Sequence, residues 1–234
     1  MLFRSRTTFE TNVMGTLNVL QAVSRTPSVT AQVIVTTDKV YRNVRQIWGY
    51  RETDPLGGDD PYSASKAMAD ILTASWVHSF DGPPTAIARA GNVIGGGDVS
   101  RDRLLPDLLR QFAEGKPANI RYPDAVRPWQ HVLDCLHGYL MLTEALLENR
   151  GTGAWNFGPD AESFVPVRVI ADKACRLWGE GAGWEHVNEG EPHEAELLAL
   201  DARKAQVELG WRNVLDLDAS LAWTIEWERD RLGG

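Results

Sequence analysis

The sequence predicts an α/β protein with a largely parallel sheet. Three observations carry this. The runs AQVIVTT (residues 31–37) and TAIAR (residues 85–89) are short, apolar and β-branched, as strands covered on both faces must be. Stretches with helical spacing of apolar residues lie between them. Alternation of the two element types is the pattern of a parallel sheet joined by crossover helices.

The elements follow in order. Residues 7–25 read as a helix, with Phe9, Val13, Leu17 and Leu20 on one face, and Pro27 blocks its continuation. After the strand at 31–37 comes a polar loop at 38–60, containing Pro55 and Gly57-Gly58. Pro61 stands where a helix begins, and 62–80 continue it. The strand at 85–89 leads into a glycine-rich loop at 91–98. Helices are expected at 104–113, 131–149, 167–178, 201–209 and 217–230, and short strands at 118–122 and 154–157. Trp211, Trp223 and Trp227 read as core and interface residues on apolar helix faces, and Glu189-Gly190-Glu191 as a solvated loop.

Composition excludes several classes. Of 234 residues, 24 are Lys or Arg and 32 are Asp or Glu, a formal net charge of −8. A nucleic-acid or anionic-membrane partner calls for a basic surface, so neither is expected. Cys135 and Cys175 are the only cysteines. They cannot build a disulfide framework, no Cys/His cluster has zinc spacing, and a reducing cytoplasm is the expected setting. No apolar run approaches the ~20 residues that span a bilayer, and the first residues lack the apolar centre of a signal peptide.

The chemistry concentrates in Tyr62-Ser63-Ala64-Ser65-Lys66. Positions i and i+4 share a helix face, so the Tyr62 hydroxyl and Lys66 ammonium address one small volume. A phenol of pKa ~10 is a poor base at neutral pH; a neighbouring cation favours its phenolate. Such a pair removes a proton from a substrate hydroxyl while hydride leaves the carbon beneath it. Upstream, Thr36-Thr37-Asp38-Lys39 closes a buried strand with hydroxyls and charges, where open α/β sheets bind ligands.

With these segments, the chain resembles the extended short-chain dehydrogenases/reductases, the group of sugar-nucleotide epimerases and dehydratases. The matching stretches are Thr11-Asn12-Val13-Met14-Gly15-Thr16, Thr36-Thr37-Asp38-Lys39, Trp48-Gly49-Tyr50-Arg51-Glu52 and Asp60-Pro61-Tyr62-Ser63-Ala64-Ser65-Lys66. Ala90-Gly91-Asn92-Val93-Ile94-Gly95-Gly96-Gly97-Asp98, Arg127-Pro128-Trp129-Gln130-His131-Val132 and Leu209-Gly210-Trp211 follow in the same order. Lys39 stands where the dTDP-glucose dehydratases carry a glutamate, which is the pattern of the branch acting on CDP-glucose.

The resemblance implies a partial Rossmann-type sheet and NAD as cofactor. Residues 1–92 would be the later part of a dinucleotide-binding domain with the catalytic residues. Residues 93–234 would be mainly a substrate-binding subdomain, with some segments returning to the sheet. The reaction implied is conversion of a nucleotide-diphosphate hexose, CDP-glucose, to its 4-keto-6-deoxy form by oxidation at C4, loss of water across C5 and C6, and reduction at C6. In that scheme Tyr62 is the base at O4, and Lys66 tunes it and binds the cofactor ribose. Thr37 donates a hydrogen bond near O4, Asp38 protonates the departing C6 hydroxyl, and Lys39 takes the C5 proton. A lysine does this only from its neutral form, so its pKa must fall from ~10.4. Asn92 would meet the sugar or diphosphate, and Arg127, with its planar set of donors, the diphosphate or nucleotide ribose. Homodimers or tetramers are implied, through the helices at 7–25 and 62–80.

The glycine-rich pyrophosphate turn of such folds, and the acidic residue following it, have no counterpart before Thr7. The expectation is therefore a chain lacking about 100 N-terminal residues, three or four strands of βα units. Two alternatives follow: a non-catalytic remnant or interaction subunit, and a related epimerase or dehydratase. Plainer readings also stand beside each site residue. Tyr62 and Lys66 form a solvated helix pair, Asp38 and Lys39 a surface ion pair, and Thr37 a hydroxyl bonded to backbone. Asn92 is then a loop cap and Arg127 a surface cation. Ser63 and Ser65 read as satisfying helix backbone, and His131 as a packing residue.

Overall fold

A computed structural model of the chain describes residues 2–179, 181–187 and 198–233. The helices are α1 (Leu2–Phe9), α2 (Gly15–Ser24), α3 (Pro61–Ser79), α4 (Leu104–Ala113), α5 (Val132–Leu147), α6 (Val167–Trp178) and α7 (Leu217–Gly233). The strands are β1 (Gln32–Val35), β2 (Thr85–Ala90), β3 (Val93–Ile94), β4 (Ala118–Ile120), β5 (Val126–Pro128), β6 (Gln130–His131), β7 (Gly153–Phe157), β8 (Phe164–Pro166) and β9 (Trp184–His186). The chain forms two compact units. The first comprises Met1–Gly91, Cys135–Gly158 and Leu198–Arg212, and the second Asn92–Asp134, Pro159–Leu197 and Asn213–Gly234.

The first unit is built on a parallel three-stranded sheet of order β1-β2-β7. Every residue of β2 is buried, and apart from Thr85 and Arg89 they are alanine and isoleucine. Ala86 and Ala88 pack with Leu142, Trp155, Phe157 and Trp211 in one core cluster. Phe157 meets Trp211 edge-on at 5.3 Å, a favoured geometry for aromatic quadrupoles. Gly138 makes that packing possible, because a Cβ there would stand 2.4 Å from the Phe157 ring.

α3 begins as its sequence dictates. Asp60, in extended conformation, accepts the free N–H groups of Tyr62 and Ser63, and Pro61 occupies the first turn. The helix expected at 7–25 starts earlier, at Leu2, and contains a π-turn at Glu10–Met14, closed by the Gly15 N–H on the Glu10 carbonyl. No pattern of apolar spacing signals such a turn. The segment expected to be helical at 201–209 likewise holds a π-turn, Ala205–Leu209, ended by left-handed Gly210. Trp211 is fully buried, but off any helix.

The second unit holds three strand pairs: β3 with β6 and β4 with β9, both parallel, and β5 with β8, antiparallel. α4, α6 and α7 cover them through Leu108, Phe112, Ile170, Ala171, Leu221 and Ile225. His131 belongs to β6 and not to the helix that follows. Trp223 and Trp227, read from the sequence as core or interface residues, are about half exposed, at 52% and 46%. The acidic cluster at 189–191 lies outside the described residues. Among the described residues no helix is long and apolar enough to cross a membrane.

Candidate active site

Five of the sequence-predicted residues gather around the carboxyl end of β1. Val35 ends the strand, and Thr36, Thr37 and Asp38 follow it, each only 7% exposed. Thr37 initiates a 3₁₀ turn at Asp38–Val40. Its hydroxyl accepts the Lys39 N–H at 3.4 Å and donates to Asp38 Oδ1 at 2.8 Å. The hydroxyl hydrogen therefore orients the Asp38 carboxylate instead of a backbone carbonyl. Lys39 is exposed, and its Nζ lies 6.0 Å from the centroid of the Tyr62 ring, the outer reach of a cation–π contact.

Tyr62 sits in the first turn of α3 with its side chain partly open to solvent. One turn on, Lys66 reaches back to the strand and donates from Nζ to the Val35 carbonyl at 3.3 Å. Burial pushes the Lys66 ammonium below the ordinary lysine range. Beneath them, Ser65 donates to the Tyr62 carbonyl at 2.8 Å and accepts from Asn12 Nδ2 at 2.9 Å. Ser63 donates to the Asp60 carboxylate. Both serines are committed to holding the helix. Asn12, on the π-turn, and Asp60 are supporting residues that apolar periodicity passes over. For Asp60, a carboxylate directly before proline at a helix start was the available signal.

A buried polar network underlies this end of the sheet. Arg89 of β2 makes a bidentate ion pair with Asp70 of α3, at 2.8 and 2.7 Å, with the two side chains 4% and 2% exposed. The Thr36 hydroxyl donates to the same Asp70 carboxylate at 3.2 Å. Arg89 also reaches the Tyr41 hydroxyl, which donates to Asn156 Oδ1 at 2.7 Å. Burial pushes the Tyr41 phenol up to about 12, against the opposing influence of Arg89. It also raises the Glu52 carboxyl, which accepts the Asn156 N–H. Asp70 stands eight residues after Tyr62 on the same helix, so the network locks α3 against β1 and β2.

In the second unit, Asn92 and Arg127 line one cavity of about 200 Å³, together with Gly95, Asp98, Arg103 and Trp129. Arg127 donates to the Val126 carbonyl at 2.9 Å. His131 is buried, accepts the Leu133 N–H at Nδ1 and meets Trp223 edge-on. Burial lowers its pKa, with Asp134 opposing. It is a packing residue, and the described residues hold no His/Cys/Asp/Glu group that would bind a metal.

Residues 4–158 match the NAD dependent epimerase/dehydratase family. The chain is 42% identical to a CDP-glucose 4,6-dehydratase of Salmonella typhimurium over 97% of its own length and 66% of that protein's. It is 30% identical to a dTDP-glucose 4,6-dehydratase of Streptomyces griseus, over 93% and 64%. Thus it spans just under two thirds of the length of these relatives. Among solved structures, the dTDP-glucose 4,6-dehydratase of Bacillus anthracis in complex with NAD superposes with a TM-score of 0.81 at 24% identity. The overlap covers 95% of this chain and 68% of that one. The UDP-glucuronic acid 4-epimerase of Bacillus cereus gives 0.82 at 20% identity, with 95% and 68% covered. These two show the shared fold. The family match, the parallel sheet and the position of Tyr62 and Lys66 at its carboxyl edge lead to one conclusion: the chain belongs to the NAD dependent epimerase/dehydratase family.

Proposed function

We propose that the protein carrying this chain converts CDP-glucose to the 4-keto-6-deoxy sugar nucleotide, a 4,6-dehydration with NAD as cofactor. The observation that carries the proposal is the gathering of Tyr62, Lys66, Thr37, Asp38 and Lys39 at the end of β1. The 42% identity to a CDP-glucose 4,6-dehydratase favours the cytidine substrate.

The first unit is read as the catalytic part of a dinucleotide-binding domain, the second as a substrate-binding subdomain. The donor set fits the cofactor at its ribose end: a phenol and an ammonium one turn apart suit a vicinal diol. Tyr62 and Lys66 would hold it there. When bound, the nicotinamide supplies a hydride acceptor for C4 and a hydride donor for C6. Tyr62 takes the proton from the 4-hydroxyl, with the Lys66 side chain one helical turn away. The ketone formed at C4 acidifies the C5 hydrogen, which Lys39 removes. Asp38, oriented by Thr37, delivers a proton to the C6 hydroxyl as it leaves as water. Asn92 meets the sugar or diphosphate, and Arg127 the diphosphate or nucleotide ribose.

Assembly as a homodimer or tetramer in the cytoplasm belongs to the same reading. Exposed Val19, Met68 and Ile71 on α2 and α3 support a self-association face. The test of function is mass loss of one water from CDP-glucose in the presence of NAD⁺. Conversion that stops in Tyr62→Phe supports the proposal. Recovery of CDP-galactose without loss of water makes the protein an epimerase.

A further inference from the structure

The cavity in the second unit has a wall whose shape is set from outside it. Gly95 and Asp98 line the cavity, and they flank Gly96 and Gly97. Those two glycines lie against the C-terminal helix α7. A Cβ on Gly96 would stand 2.4 Å from Trp227 Cγ and 2.5 Å from its Cδ2. One on Gly97 would meet the far edge of the same indole at 3.1 Å. Gly97 has φ +81°, a left-handed conformation that glycine adopts without steric cost.

The contact is polar as well as apolar. The Gly97 N–H donates to Glu228 Oε1 at 3.2 Å. Glu228 is 6% exposed, and its other oxygen accepts from Arg231 Nε at 2.8 Å. α7 is itself anchored in the core by fully buried Leu221 and Ile225. The path of the glycine loop is thus fixed to α7, and α7 to the core. Trp227 keeps nearly half of its surface open, so its placement is not explained by burial of the indole alone.

A run of three glycines left to itself samples both signs of φ, and ordering it on binding costs entropy. A clamp that holds the loop beforehand removes that cost. We infer that Trp227 and Glu228 are positioning residues for nucleotide-sugar binding, acting through Gly96 and Gly97 to hold Gly95 and Asp98 at the cavity wall. The inference rests on the reading of this cavity as a nucleotide-sugar site.

Calorimetric titration of the chain with CDP, without NAD, tests it. Trp227→Ala is expected to weaken CDP binding about tenfold, as for one lost anchoring contact, and Trp227→Phe to stay within about threefold of the parent. Glu228→Gln, nearly isosteric and least disruptive of α7, is expected to lose about threefold. A double-mutant cycle separates the clamp from general loosening. Gly96→Ala weakens CDP binding in the parent and costs little more beside Trp227→Ala, where its methyl has room. If Glu228→Gln binds as the parent does, or Gly96→Ala costs the same in both backgrounds, the inference is overturned while the proposed function stands. If the parent chain does not bind CDP, both are overturned.

Discussion

The Lys66 ammonium donates to the carbonyl of Val35, the last residue of β1, at 3.3 Å. The bond ties the helix that carries Tyr62 to the strand end that carries Thr37 and Asp38. Lys66 thereby serves two ends, fixing one element on another and keeping a cation one turn from the phenol.

Such a half-buried ammonium costs stability. Replacing it in Lys66→Met is expected to abolish turnover while raising the denaturant midpoint at neutral pH. The sign follows from linkage: burial holds the folded pKa below the unfolded one. Between the two, the unfolded chain binds more protons, so parent stability rises with pH. The gap between Lys66→Met and the parent should then narrow as pH climbs into the ordinary lysine range. Urea titrations at neutral and alkaline pH read it directly.

Tyr62→Phe removes one oxygen and leaves the cap intact, because it is the Tyr62 backbone N–H that bonds Asp60. Turnover is expected to fall by about 10²–10⁴, the usual weight of a general base, with CDP affinity unchanged. Steady-state kinetics beside calorimetry distinguish this from misfolding.

Asp60→Ala strips the first turn of α3 of its acceptor and should cost about 1 kcal/mol. Burial alone would raise the Asp60 carboxyl, but hydrogen bonds from Ser63 and Tyr62 and the charge of Lys39 hold it below the usual aspartate range. Its contribution is present above the unfolded pKa and lost as pH falls through the folded one. The parent and Asp60→Ala should therefore converge in acid, as thermal melts across that range would show.

Asp70→Asn breaks the buried pair with Arg89 and leaves a guanidinium without its charge partner. The expected cost is about 3–5 kcal/mol. Joining Arg89→Met to Asp70→Leu should recover part of it, since two apolar groups leave no uncompensated charge. Equilibrium denaturation of the single and double variants measures both values.

Much of this arrangement was legible in the sequence. The bounds expected for α4 and α6 coincide with those observed, because both helices present strongly one-sided apolar faces. The i, i+4 spacing of Tyr62 and Lys66 places both on α3, and the apolar run before Thr37 places that residue just past a strand end. Pairing over distance was not legible. Arg89 reads as one polar residue in an apolar strand, and nothing local identifies Asp70 as its partner. β5 and β8 are three residues each and contain Pro128 and Pro166, so neither gives an alternating pattern. Hydrophobicity alone reads Trp223 and Trp227 only as core or interface residues. Their half-exposure shows that an aromatic residue can serve a loop contact instead.

Turnover of CDP-glucose in heavy water examines the strand-end cluster most directly. If Tyr62 and Lys39 strip protons from O4 and C5 in turn, the product is a 4-keto-6-deoxy sugar carrying one solvent deuteron at C5, and Lys39→Ala fails to make it. A product that keeps its original hydrogen at C5, or that retains the 6-hydroxyl, would contradict the account.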